Sequence, residues 1–153
     1  MSYAANTDVS SSRSRDEIER TLARYQATSF MYGWEGERAI LGFVVNGRQV
    51  RFTLTMPERG AREFTHTAVR RNARSGAEAE KAYEQAVRQR WRALNLVIKA
   101  KLEAVSAGIT TFEDEFAMCM VLPDGRTVAD HVLPAIEESY ATGHVVPSLA
   151  ITS

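Results

Sequence analysis

Apolar residues return at every third or fourth position between Ser75 and Gly108: Tyr83, Val87, Trp91, Leu94, Ile98, Leu102 and Val105. At about 100° per residue they gather on one stripe, the pattern of a helix with a core-facing side. Ser75 and Glu78 have capping-box spacing, and Gly108 stands where a left-handed residue would end the run. The pattern predicts one unbroken helix, close to 50 Å long at about 1.5 Å per residue, spanning the domain.

Upstream the period changes to two. Ser29 to Trp34 is aromatic and β-prone, with a turn at Glu35, Gly36 and Glu37. Asn46-Gly47 is the pair preferred by a two-residue type I′ turn. That loop sets Val45 opposite Arg48, Phe43 opposite Val50, Leu41 opposite Phe52 and Ala39 opposite Leu54, so one face is apolar and should lie on the long helix. The other face mixes Ile40, Gly42 and Val44 with Gln49, Arg51, Thr53 and Thr55. Pro57 ends the third strand.

The remaining segments are shorter. Residues 1–13 are polar, Ser-rich and aperiodic, and read as a disordered lead-in. Ser14 and Glu17 make a second capping box before Ile18, Leu22 and Tyr25, a short amphipathic helix ending near Gln26. Residues 58–74 fit no template and read as a basic loop. Thr110 and Glu113 form a third box ahead of Phe112 and Phe116. Met118 to Leu122 could be a strand, and Pro123-Asp124-Gly125 a turn. Thr127 caps a last helix carrying Val128, Val132, Ile136 and Tyr140, which Pro134 should kink or break and Gly143 should end. The fold class is α+β: a short helix, a three-stranded antiparallel meander on one long helix, then short helices. It forms a single domain over 14–143, with 144–153 as a tail.

The 153 residues carry no net charge, but the charge is unevenly spread. Residues 70–101 hold nine basic and three acidic side chains, and 102–153 hold one and eight. On the long helix Lys81, Arg88, Arg92 and Lys99 share one face, a cationic rail that Arg70, Arg71 and Arg74 of the loop could lead into. Guanidinium and ammonium groups in a line suit phosphates, so these seven residues are the candidate contacts to single- or double-stranded nucleic acid. A solvated face is the plainer explanation. A third flank carries Ala82, Ala86, Ala93, Ala100 and Ala104, which would let another backbone approach; a neighbour within the chain is the more ordinary partner.

Catalytic chemistry is hard to find. Glu113, Asp114, Glu115, Asp124, Asp130 and His131 are the best divalent-ion candidates, but three consecutive helical carboxylates splay apart and cannot all face one ion. Phe64-Thr65-His66-Thr67 lacks the spacing and the second copy of a paired His-x-Thr site. No Walker loop, G-x-G-x-x-G, G-x-S-x-G or H-E-x-x-H occurs. A non-enzymatic protein without cofactor or metal is expected. The lone Cys119 has apolar neighbours and reads as an inert thiol. No membrane-spanning run or signal-peptide pattern is present, so no membrane contact and a cytoplasmic location are expected.

The stretches FMYGWEGERAILGF, FTHT, RQRWRALNLVIKAKLEAVSAGITTFEDEF and LPDGRTV resemble a family of small uncharacterised proteins encoded by tailed phages and prophages, over most of Arg15 to Gly143. The resemblance implies an accessory protein acting in a bacterial host cell, and brings no catalytic or binding residues. The order helix, three antiparallel strands, long helix is also similar to the core of Rad52-like single-strand annealing proteins, a likeness of element order alone. Two functions follow as expectations: nucleic-acid association through the loop and rail, or a protein-interaction or assembly module, either self-associating or inhibiting a host factor.

Overall fold

Ser75 accepts a hydrogen bond from the Glu78 backbone N–H while the Glu78 carboxylate accepts one from Ser75, and the long helix α3 runs from this box over Gly76–Ser106 without a break. The structure, a computed structural model, describes residues 2–67 and 73–149, with side chains from residue 12 onward. Gly108, at φ +77°, turns the chain away just past the helix end. Of the expected stripe, Val87, Trp91, Leu94, Ile98 and Leu102 are buried, and Tyr83 and Val105 pack partly against them.

The meander forms as β1 (Ser29–Glu35), β2 (Arg38–Val45) and β3 (Arg48–Thr55) in the order β1-β2-β3. Asn46 and Gly47 both take positive φ, 51° and 73°, as a type I′ turn requires, and this fixes every expected cross-strand pair from Val45↔Arg48 to Ala39↔Leu54. Substituting Gly47 by Val places a β-branched residue at positive φ, so an expected loss of about 1–2 kcal/mol should appear in urea unfolding. Ala39, Leu41, Phe43, Val45 and Val50 are buried, with Phe52 and Leu54 partly so. The sheet meets the helix where the Tyr32 and Trp91 rings lie 5.4 Å apart. Arg90 of the helix also donates to the Thr55 carbonyl at 2.8 Å.

Three local expectations are corrected. The first helix, α1, spans Ser2–Arg24 rather than starting at Ser14 after a disordered lead-in. No Gly or Pro interrupts residues 2–13, so Ser14 sits inside the helix and caps nothing. The cap expected at Thr110 is made by Thr111, whose hydroxyl accepts from the Asp114 N–H at 3.1 Å. That choice starts helix α4 (Phe112–Phe116) with both phenylalanines buried. Met118 to Leu122 is no strand: a 3-10 turn over Ala117–Cys119 leads into single bridges, Val50↔Met120 and Val121↔Thr127.

The last helix, α5 (Val128–Thr142), has a full capping box between Thr127 and Asp130 and runs through Pro134 to a left-handed Gly143. Proline cannot bond the carbonyl one turn earlier, that of Asp130, which instead accepts from Arg126 Nη2 at 3.1 Å. The helix is therefore not broken at Pro134, the second of the two expected outcomes there. Thr127→Ala removes the hydroxyl end of the box and should cost about 1 kcal/mol, with the first turn of α5 losing amide-exchange protection before the rest.

Candidate functional site

Helix α1 decides what the cationic rail can do. Its apolar residues Ile18 and Leu22 are fully buried, and α1 lies along α3 in the same direction, on the side bearing Asn95 and Lys99. Arg15 stacks over the Tyr32 ring, its guanidinium carbon 4.1 Å from the ring centre, and 6.0 Å from that of Trp91. About two turns further along α3, Lys99 forms an ion pair with Glu17. The hydrogen bond from Lys99 holds the Glu17 carboxyl below its ordinary value.

Of the seven expected contacts, Lys81, Arg88, Arg92 and Lys99 keep one side of the unbroken α3 but are engaged differently. Arg70 and Arg71 lie outside the described residues. Arg74 donates to the carbonyls of Phe64 at 3.2 Å and Glu63 at 3.4 Å, fastening the short helix α2 (Arg62–Thr65). Lys99 is paired, Arg88 is half-buried, and Lys81 and Arg92 are exposed. α1 closes this side of α3 at Lys99, while Lys81 and Arg92 stay open to solvent. The described part of the basic loop is anchored as well: Phe64 is buried with its ring edge-on to Tyr83 at 5.6 Å, and Arg59 bonds Glu80 at 2.9 Å. Lys101 meets Glu115 at 3.1 Å and Arg51 approaches Asp130 at 3.9 Å, so acidic residues of the last third close on basic ones of the body.

The expected acidic constellation is also divided among local tasks. Asp130 caps α5, Glu115 pairs with Lys101, and Asp124 accepts from the Arg126 N–H and lies 2.6 Å from His131 Nε2. Among the described residues no three His, Cys, Asp or Glu side chains come together as a metal site. The Arg126 backbone bond, then His131, hold Asp124 below its ordinary value, and the Thr127 backbone and hydroxyl do the same for Asp130. Burial pushes the Cys119 thiol up. No helix of the described residues is long and apolar enough to cross a membrane.

Carboxyls lowered by folding stabilise the native state above the unfolded value, about 4, and that stabilisation disappears as pH falls through their lower folded values. Urea midpoints should therefore hold steady from neutral pH to about pH 5 and drop below about 4. Glu17→Gln should flatten part of that drop.

The other flank of α3 is open. Among the described residues no segment covers Ala93 or Ala100, both exposed, and the periodicity adds Leu96 and Val97 to them, at 61% and 44% exposure. Along one edge of this flank, a groove of about 540 Å³ runs between Leu54, Pro57 and Phe64 and the helix residues Ala86, Ala93 and Val97. The alanines stand out by their spacing, whereas Leu96 and Val97 belong to neither the core stripe nor the rail and carry no such signal. On α5, Leu133 and Tyr140 also face outward, at 53% and 87% exposure. The semi-polar sheet face is partly shielded, because Met31 lies over Gly42.

The chain matches no protein-family model, no curated protein and no solved structure. Its own surface chemistry therefore carries the functional reading.

Proposed function

We propose that this protein is a non-enzymatic accessory protein, of phage or prophage origin, that works by binding protein through uncovered apolar helix faces. The supporting observation is the contrast between the two sides of α3. The basic side is closed at Lys99 by Glu17 and α1, whereas the opposite flank presents Leu96 and Val97 to solvent among alanines. Large apolar side chains grouped on one exposed face gain more from a protein partner than from water. The phage context rests on the family resemblance.

Nucleic-acid association is the second reading, favoured by the exposed Lys81 and Arg92 and by the basic excess of residues 70–101. One experiment separates the two: titration of labelled single- and double-stranded oligonucleotides across a salt series, with light scattering on the same samples. The first reading expects no more than weak DNA or RNA binding at any salt concentration, and any assembly seen by light scattering to persist at high salt. A monomer that binds oligonucleotide with affinity falling steeply as salt rises would reverse the order, since neutralised phosphates release counterions.

A further inference from the structure

The open flank of α3 is a second apolar stripe on a helix whose first stripe already fills the core. Counting about 100° per residue, Ala93, Leu96, Val97, Ala100 and Ala104 lie within a sector of about 100°, on the side away from Trp91 and Ile98. A soluble helix facing water normally carries charge there. Alanines at three- and four-residue spacing let a second helix come within about 8 Å, and the larger Leu96 and Val97 would fill the space between backbones.

The charges beside the stripe indicate what that second helix is. Arg92 and Glu103 are both exposed and lie on the same edge of the stripe, eleven positions apart, and neither makes an ion pair with the other described residues. When two copies of one helix pack antiparallel, turning one end over end brings the same edge of each side by side. Centring the pair between Val97 and Ile98 then sets Arg92 level with Glu103 of the second copy, and Glu103 level with its Arg92. In that register Leu96 falls between Val97 and Ala100 of the other helix, and Ala93 between its Ala100 and Ala104. The apolar and ionic fits coincide.

We infer that the protein forms a two-fold symmetric dimer by antiparallel packing of α3 on α3 of a second copy, through Ala93, Leu96, Val97 and Ala100, with Arg92 paired reciprocally to Glu103. The self-association rests on the protein-binding reading above and names its first partner. A symmetric pair buries the same patch on both copies and closes on itself, so it ends at two.

Sedimentation velocity over a concentration series tests this with five chains. The wild type should shift from monomer to dimer, and Leu96→Glu, an exposed change that should leave circular dichroism and melting intact, should remain monomeric. Arg92→Glu should weaken the dimer roughly tenfold, because both symmetric pairs become repulsive. The swapped double variant Arg92→Glu/Glu103→Arg should recover most of that loss, a rescue that nonspecific apolar adhesion would not give. A dimer insensitive to Leu96→Glu but lost in Leu133→Glu would overturn the inference and move association to α5, leaving the protein-binding reading in place. A wild type monomeric at every concentration also overturns it, and that broader reading is then decided separately by the oligonucleotide titration.

Discussion

Trp91→Ala should cost about 3–5 kcal/mol, the range for truncating a large aromatic in a core. Trp91 is fully buried and stands where three layers meet: Tyr32 of the sheet packs on its ring, Arg15 of α1 lies beside it, and Val87 and Ile98 flank it along α3. Removing the indole leaves a cavity touching both the sheet and α1, so neither can close it without moving the other. A domain of this size has a total stability of about 5–15 kcal/mol, so the variant should be near the edge of folding. Its melting temperature should fall by on the order of 10 °C. Urea unfolding followed by circular dichroism checks the size of the loss. Fluorescence adds a signature, because the emission left comes from Trp34, which is 45% exposed and should lie further to the red. A loss under about 1 kcal/mol would contradict the placement of Trp91 at the centre of the core.

Phe116→Ala should cost a similar amount, about 3–5 kcal/mol, and shows how the last third is held. Phe116 is fully buried, with its ring edge-on to Phe43 at 5.8 Å and to Phe52 at 6.3 Å, and tilted against Phe112 at 4.8 Å. Beyond this cluster the attachment is thin. Val121 donates to the Gln49 carbonyl at 2.8 Å, Met120 bridges Val50, and α5 buries only Ala135 among its own residues. Losing the Phe116 ring should therefore release α4 and α5 more readily than it unfolds the sheet. Limited proteolysis should cut first between Ala107 and Thr111, and Phe116→Leu, which keeps most of the volume, should restore resistance.

Features set by neighbours in sequence were legible before the structure. The Asn46-Gly47 turn fixed the β2–β3 register, the Ser75–Glu78 box and Gly108 bounded α3, and the three-to-four spacing identified its core face. Features set by contacts between distant elements were not. Helical periodicity tells which residues share a side of α3, but not that α1 lies along one side and leaves the other bare. The same limit explains Lys99, whose partner Glu17 has the spacing of a capping-box residue. It also explains Pro134, tolerated because Arg126 reaches the carbonyl that proline leaves unpaired. Asn95 is buried within the rail side of α3, and its Oδ1 has no hydrogen-bond partner among the described residues. No periodic pattern marks such a position.

The proposal that the open side of α3 is the working surface is tested most directly by the methyl resonances of Leu96 and Val97. In a protein-concentration series these methyls should shift and broaden as partners cover them, while those of Leu102 and Ile98, on the core side of the same helix, stay fixed. Methyls that do not change with concentration, alongside shifts at Lys81 and Arg92 when oligonucleotide is added, would contradict an apolar interface and return the cationic side to first place.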